Sequence, residues 1–267
     1  MKKIRVGVIG VGYLGKFHAE KYSRMKDVQL VGVVDIDKSR AEDVAAAFGT
    51  SALTDYQDLF GKVDAVSVVV PTEAHYSVGA EFLNHDVDVL IEKPMTTSLE
   101  QADDLIKIAE SKHRILQIGH LERFNPAVIA LKNIVHNPMF IEAHRLSIFK
   151  DRSTDVSVVL DLMIHDIDII MNFVKSDIKL IHAAGAPVIC DQVDIANARL
   201  EFTSGCVANV TASRISMKNQ RKLRLFQKDA YLSIDFADHE IMVIRQAEGP
   251  SSGPIPNMDI QQISYSD

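Results

Sequence analysis

Apolar residues come in short unbroken runs through the first half of the chain and alternate with polar residues through the second. Ile4 to Ile9, Val28 to Val34, Ala65 to Val70, Val87 to Ile91 and Ile115 to Ile118 are runs of the kind that form strands buried on both faces of a parallel sheet. Helical spacing fills the gaps between them. Lys16 to Met25 predicts one helix. Lys38 to Phe48 predicts another, with Ala41, Val44, Ala45 and Phe48 on one face and Gly49 as its stop. Tyr56 to Phe60 is a short turn of helix. Glu73 to Asn84 follows Pro71, with Thr72 as N-cap, and a capping box of Ser98 and Gln101 opens a helix that runs to Lys112. This alternation predicts a doubly wound α/β domain, whose ligands sit beyond the carboxyl ends of the strands.

After Gly119 the pattern changes. Pro126 to Val135 predicts a connecting helix, with Asn125 as cap and Pro126 at its first position. Strands then dominate: Phe140 to Phe149, Ile178 to Gly185, Asp194 to Phe202, Cys206 to Ser213, Lys222 to Phe226, Ala230 to Asp235 and Glu240 to Arg245. Asn197-Ala198-Arg199-Leu200-Glu201-Phe202 alternates strictly, and Ser204-Gly205 marks a turn. These features predict an α+β domain with an open, mostly antiparallel sheet, one face packed and the other freer. The boundary falls near Leu121, giving domains of residues 1–121 and 122–267. One helix, Val159 to Ile170, interrupts the strands. Asp161, His165 and Asp168 recur in it at i, i+4 and i+7 and so share a face.

The bulk properties narrow the class. A chain of 267 residues has room for two domains with ample core. Hydrophobic content of 47% and charged content of 24% are those of an ordinary globular protein, and a net charge of −7 argues against a general nucleic-acid binder. Cys190 and Cys206 show no pairing pattern, which fits a reducing cytoplasm and excludes a cysteine-built metal site. Lys2 and Lys3 before an apolar run mimic a signal peptide, but Arg5 and the glycines interrupt the run and no cleavage site follows. No apolar stretch approaches the ~20 residues needed to span a bilayer, so membrane insertion is not expected.

The candidate chemistry starts where the first strand ends. Gly10-x-Gly12-x-x-Gly15 lies between a strand and a helix, and Asp35 closes the second strand twenty residues beyond Gly15. Gly10 permits the tight turn, Gly12 lets backbone approach a pyrophosphate, and Gly15 lets helix and strand pack closely. The helix N-terminus offers free N–H groups to the phosphates. Gly10, Gly12, Tyr13, Leu14, Gly15 and Asp35 are therefore candidate cofactor contacts. Asp35 can accept both ribose hydroxyls and would repel a 2′-phosphate, which favours NAD over NADP. A glycine-rich turn that binds nothing is the competing reading.

The other strand ends carry Pro71-Thr72-Glu73-Ala74-His75, Glu92-Lys93-Pro94, and Gly119-His120-Leu121-Glu122-Arg123-Phe124-Asn125-Pro126. Glu92 and Lys93 read either as a surface ion pair or as site groups at the crevice. His75 reads either as a first-turn residue or as a site residue. His165, flanked by carboxylates on a mostly apolar helix, suits chemistry or a satisfied structural role. Metal binding there would need a third or fourth ligand that the sequence does not show, so no metal is expected. Arg214, Lys218, Arg221, Lys222 and Arg224 form a basic run. It reads either as a solvated face or as a cluster that neutralises a substrate phosphate, on this subunit or a partner.

Gly10-x-Gly12-x-x-Gly15-x-x-His18, Pro71-Thr72-x-x-His75 and Glu92-Lys93-Pro94 together resemble the glucose–fructose oxidoreductase / inositol dehydrogenase / MocA family, from Lys3 to about Ile244. The resemblance implies an N-terminal Rossmann domain and a C-terminal α+β domain. It implies that Lys93 lies beside the nicotinamide and the reacting hydroxyl, that Glu92 lies at the cofactor, and that Pro71, Thr72 and His75 line the cofactor. The Lys93–Pro94 bond can be cis at low cost. Arg123 and Asn125 match a segment that faces the sugar. Asp161 and His165 match an Asp-x-x-x-His motif, which makes His165 the candidate base, Asp161 its orienting group and both of them substrate contacts. The implied activity is NAD-dependent oxidation of a sugar hydroxyl to a ketone. The pairing of Gly-His-x-x-Arg-Phe-Asn-Pro with Asp-Leu-Met-Ile-His-Asp-Ile-Asp is similar to the branch acting on UDP-linked N-acetylhexosamines, the UDP-N-acetylglucosamine 3-dehydrogenases of lipid A biosynthesis. A free polyol or hexose dehydrogenase and a non-catalytic NAD-binding protein are the alternatives. Family members also continue with a helix that returns to the nucleotide-binding domain. None is evident after the Gly/Pro/Ser-rich stretch from Gly249 to Asn257, so the chain reads as truncated or as a short branch. The open sheet leads to the expectation of a homodimer or homotetramer packed through it.

Overall fold

Two compact units make up the chain, Met1–Gly119 and His120–Asp267. The computed structural model describes residues 2–149, 156–247 and 257–265. The Gly/Pro/Ser-rich stretch that begins at Gly249 lies outside the described residues as far as residue 256.

In the first unit the valine-rich runs become strands β1 (Ile4–Ile9), β2 (Val28–Val34), β3 (Ser51–Leu53), β4 (Ala65–Val68), β5 (Asp88–Ile91) and β6 (Leu116–Ile118). All pair in parallel, in the order β3-β2-β1-β4-β5-β6. The order reverses between β1 and β4, and that switch point opens a crevice at the carboxyl ends of the two strands. Four helices cover the sheet: α1 (Tyr13–Arg24), α2 (Lys38–Phe48), α3 (Thr72–Asn84) and α4 (Leu99–Lys112). Because side chains alternate along each strand, Val8 and Val33 face one layer with Ala19, Val44 and Ala45. Ile9, Val66, Val68, Val89 and Ile91 face the other with Val78, Phe82, Leu83 and Leu105.

Several predicted boundaries shift for local reasons. α1 begins three residues early because the Gly12 carbonyl already accepts the Lys16 N–H at 3.1 Å. Thr72 is the first residue of α3 rather than its cap, and Pro71 holds the cap position with no side-chain acceptor. Ser98 does cap α4, accepting from the Gln101 N–H. The box is only half made, since the Gln101 side chain accepts the Thr97 hydroxyl instead of reaching back. β3 went unread because three residues are too few to show a period.

The second unit holds a short helix α5 (Pro126–Leu131), strand β7 (Phe140–Leu146), helix α6 (Ile164–Val174) and strands β8 (Ile178–Ala186), β9 (Ile195–Phe202), β10 (Val207–Ser213), β11 (Gln220–Gln227), β12 (Ala230–Asp235), β13 (Glu240–Gln246) and β14 (Met258–Ser264). They form one sheet in the order β14-β13-β12-β11-β7-β10-β9-β8. Only β7 and β10 run parallel; every other pair is antiparallel. The doubly wound parallel sheet and the mostly antiparallel open sheet are thus both as expected. α5 stops at Leu131, short of Val135, and β14 has no counterpart among the predicted strands. Inward residues Ile141, Ala143, Ala198, Leu200, Val210, Leu223 and Leu232 pack with Met163, Ile169 and Ile170 in one core. Among the described residues no helix is long and apolar enough to cross a membrane.

One buried carboxylate closes the turn between β8 and β9. Asp194 is fully buried, and its Oδ2 accepts the N–H groups of Val188, Ile189 and Cys190 at 2.7–2.9 Å. Arg214 lies 3.7 Å from its other oxygen and donates to the Val156 carbonyl. Burial opposes the charge of Asp194, but the three backbone donors outweigh it and hold the carboxyl well below the usual carboxylate range. A lowered pKa stabilises the fold above the unfolded-state value and ceases to do so only as pH falls through the folded-state value. Asp194→Ala is expected to cost about 3 kcal/mol in chemical unfolding of the full chain. The difference from wild type should stay constant from neutrality down to the ordinary carboxylate range and shrink progressively as pH falls from there towards the folded-state value. Equal unfolding midpoints at neutral pH would refute this role.

Candidate active site

The carboxyl edge of the first sheet gathers the glycine loop. Gly10 has φ +82°, a left-handed conformation that favours glycine, and a Cβ on it would meet the Val69 carbonyl at 2.5 Å. A Cβ on Gly15 would fall 1.8 Å from the Gly10 carbonyl oxygen, so α1 can lie against the loop only without a side chain there. Gly12 differs. A Cβ there would meet nothing within 4 Å, so this backbone faces open space. No side chain caps the α1 N-terminus, and Tyr13 and Leu14 beside it are exposed. Asp35, 6% exposed, accepts the Val11 and Asp37 N–H groups at 3.0 Å and shares its charge with Arg40 at 3.3 Å. An open glycine backbone, an uncapped helix N-terminus and a carboxylate at the end of β2 are the features a dinucleotide needs.

The next strand ends hold the second group of residues. Lys93 is partly exposed, between the buried Glu92 and Pro94, and the Lys93–Pro94 peptide is cis. Pro71 and Thr72 stand exposed or half-buried at the start of α3. The side chains of the other two candidates turn inward. Glu92 accepts from His18 Nε2 at 3.0 Å. His75 is 1% exposed, with Nδ1 2.8 Å from the Pro94 carbonyl and Nε2 2.9 Å from the Val70 carbonyl. His18 Nδ1 lies 3.2 Å from Ser67 Oγ, which lies 2.7 Å from the Tyr22 hydroxyl. His18, Tyr22 and Ser67 were not among the predicted site residues. Two signals were available: His18, which closes the glycine-loop motif, and Ser67, a lone polar residue in an otherwise apolar buried strand.

In the second unit α6 continues from a π-helical turn, Val159–Met163, in which the Ile164 N–H reaches the Val159 carbonyl. Such turns occur often at functional sites. Asp161 lies in this turn and His165 just after it, both partly exposed. The carboxylates that follow are structural. Asp166 grips the buried Arg145 with two bonds of 2.8 and 3.0 Å, and Glu122 takes a third at 3.2 Å. Burial opposes the Arg145 charge, but Asp166 and then Glu122 outweigh it and raise its pKa. Asp168 binds Arg123 through both oxygens. It therefore does not serve the His165 face as its i+7 spacing suggested. Arg123 keeps half its side chain exposed beyond that pair. Asn125 caps α5, accepting the Ala127 N–H at 3.0 Å.

The basic run does not act as one patch. Arg214 is buried, Lys222 pairs with Asp235 and Arg224 pairs with Glu142, which leaves Lys218 and Arg221 exposed. Among the described residues no group of three His, Cys, Asp or Glu could hold a metal.

Residues 4–120 match the model of the GFO/IDH/MocA oxidoreductase family's NAD-binding Rossmann fold, and residues 129–233 match the family's C-terminal domain. The chain belongs to this GFO/IDH/MocA family. Its NAD-binding Rossmann domain carries the glycine loop, and its members are oxidoreductases. The UDP-N-acetylglucosamine 3-dehydrogenase of Acidithiobacillus ferrooxidans is 39% identical over 95% of this chain and 80% of its own. A solved structure of that enzyme superposes with TM-score 0.92 at 38% identity, covering 100% of this chain and 85% of that one. The inositol 2-dehydrogenase of Rubrobacter xylanophilus is 31% identical over 69% of this chain and 56% of its own.

The loop geometry of this GFO/IDH/MocA member separates two glycines. Gly12→Ala is expected to melt like wild type while weakening NAD binding by about tenfold or more, because only a bound pyrophosphate would meet the new methyl group. Gly15→Ala is expected to lower the melting temperature as well, because its methyl meets backbone in the free protein. Calorimetric NAD titration beside thermal melting distinguishes the two. Equal melting losses in both variants would contradict the assignment.

Proposed function

We propose that the protein is an NAD-dependent dehydrogenase that oxidises one hydroxyl of a UDP-linked N-acetylhexosamine to a ketone, at carbon 3 of UDP-N-acetylglucosamine. One observation carries the reading. The similarity to the Acidithiobacillus enzyme runs through both units, at higher identity and over more of the relative than the similarity to the inositol dehydrogenase does.

Oxidation of a carbinol removes a hydride from carbon and a proton from oxygen. Bound NAD supplies the hydride acceptor. We assign the proton to His165 Nε2 or Nδ1, since a free imidazole titrates near neutrality. Asp161, in the π-helical turn four residues before His165, orients that ring or relays its proton. Lys93 offers an ammonium to the oxygen as negative charge develops on it. Gly10, Gly12, Tyr13, Leu14, Gly15, Asp35, Pro71 and Thr72 form the cofactor-facing edge. Arg123 and Asn125 are the further sugar contacts, with Arg123 held in one orientation by Asp168.

Two further proposals go with this reading. The enzyme works in the cytoplasm, where its 3-keto product would be aminated for lipid A. It assembles as a homodimer or homotetramer through the outer sheet face. There Val207, Phe140, Phe226, Tyr231 and Ile244 line up across five strands, with ring centroids 5.9 and 5.0 Å apart along the aromatic part. An apolar row on an outward face supports burial against a second copy.

The second reading is a dehydrogenase of a free polyol, which the inositol dehydrogenase similarity favours. NADH formation is to be followed with UDP-N-acetylglucosamine, myo-inositol and glucose, for wild type, Lys93→Met and His165→Asn. Turnover with the UDP-sugar alone is expected, falling by about 10²–10⁴-fold in each variant. Turnover with myo-inositol alone would move the protein to the second reading. Undiminished turnover in either variant would remove that residue from the chemistry.

A further inference from the structure

A lysine ammonium sits at the end of four flexible methylenes, so the backbone that carries it decides which volume it can reach. Lys93 follows the last ladder residues of β5. The Glu92 N–H still bonds the Val68 carbonyl, and the chain then leaves the sheet through Lys93 and Pro94. Two histidines from two different helices meet this turn, one on each side of the lysine.

His75, in the first turn of α3, places its ring between the carbonyl of Pro94 and that of Val70. Each tautomer donates to one of these oxygens and the protonated ring donates to both. The ring thereby laces the loop after β5 to the loop after β4. His18, in α1, reaches Glu92. An ionised carboxylate only accepts, so His18 Nε2 carries the proton it shares with Glu92. In the neutral ring Nδ1 then accepts from Ser67, and Ser67 accepts from Tyr22. With that ring neutral, the series Tyr22–Ser67–His18–Glu92 is satisfied with every proton running in one direction. Gly119 closes the far side, since a Cβ there would lie 2.8 Å from Glu92 Oε1. Ser67, His75 and Glu92 are all buried, and a buried polar series with every member satisfied is rigid.

We propose that His18 and His75 are positioning residues that clamp the Glu92-Lys93-Pro94 turn from its two sides and so fix the volume that the Lys93 ammonium sweeps. Glu92 and His75 then act on the cofactor edge only through this turn. The proposal rests on the reading of Lys93 as the group that meets the reacting hydroxyl.

The test uses the full chain with His18→Phe, His75→Phe, His18→Gln, His75→Gln and Lys93→Met. Amide hydrogen exchange of the free protein is read over residues 92–97, with calorimetric NAD affinity and steady-state kcat and KM alongside. Each Phe variant is expected to speed exchange of this segment about tenfold, the size one lost hydrogen bond carries, while exchange in the other strands holds. NAD affinity should stay within about threefold, kcat should fall about tenfold, and each Gln variant, which keeps a side-chain N–H, should recover part of both losses. Unchanged exchange in the segment, or faster exchange throughout the first unit, would overturn the clamp. Lys93→Met separates the two claims. If it turns over like wild type, the reading of Lys93 fails, while the exchange data alone still decide the clamp.

Discussion

The distance between the Gly15 position and the Gly10 carbonyl sets the geometry of the first unit. α1 approaches β1 so closely that no side chain fits between them. That approach brings the helix N-terminus, with its unsatisfied N–H groups, to the carboxyl edge of the sheet. It also brings the inner face of α1 within hydrogen-bonding reach of β4 and β5, where His18 finds Ser67 and Glu92. The phosphate-facing loop and the network behind Lys93 therefore share one cause. If the helix stood a methyl group further out, both would be lost together.

The second unit obeys a different constraint, the burial of charge. Arg145 sits in an inward row of β7 with Ile141 and Ala143. An ammonium or guanidinium in such a place is tolerable only when its donors are filled. Asp166 and Glu122 fill them, and Arg123, the neighbour of Glu122, pairs with Asp168 two residues after Asp166. Together they fix the rotation of α6 about its axis. With Asp166 and Asp168 committed inward, Asp161 and His165 are the ionisable residues of this stretch left partly exposed. The π-helical turn lets the chain change phase between the two sets.

Much of the fold was legible because local signals and the final structure agreed. The valine-rich runs of β1, β2, β4 and β5 are buried on both faces, and the alternation of β9 matches its one buried face. The short β3 escaped because it is held by pairing with β2 rather than by its own pattern. At the candidate site the residue types were legible and the side-chain directions were not. Glu92 at a strand end reads the same whether it faces a cofactor or a neighbouring helix, and its histidine partner lies far away in sequence. The alternation Ile141-Glu142-Ala143-His144-Arg145 puts Arg145 in the inward row of β7, a placement the sequence reading did not draw. Nothing local could say that Asp166 would supply the carboxylate it needs. The basic residues from Arg214 to Arg224 illustrate the converse: they are neighbours in sequence, yet Arg214, Lys222 and Arg224 go to three different carboxylates.

The parallel pairing of β7 with β10 has a consequence for how the second sheet comes together. β8, β9 and β10 are joined as a local meander, and so are β11, β12 and β13. β7 is made before either, yet it is the strand that unites them, with β10 on one side and β11 on the other. A chain growing from its N-terminus exposes both edges of β7 until Ser213 has been made, and one edge until Gln227 has been made. The oldest strand of the sheet is therefore the one that waits longest for its neighbours, and the loop closures that seat it span the most chain.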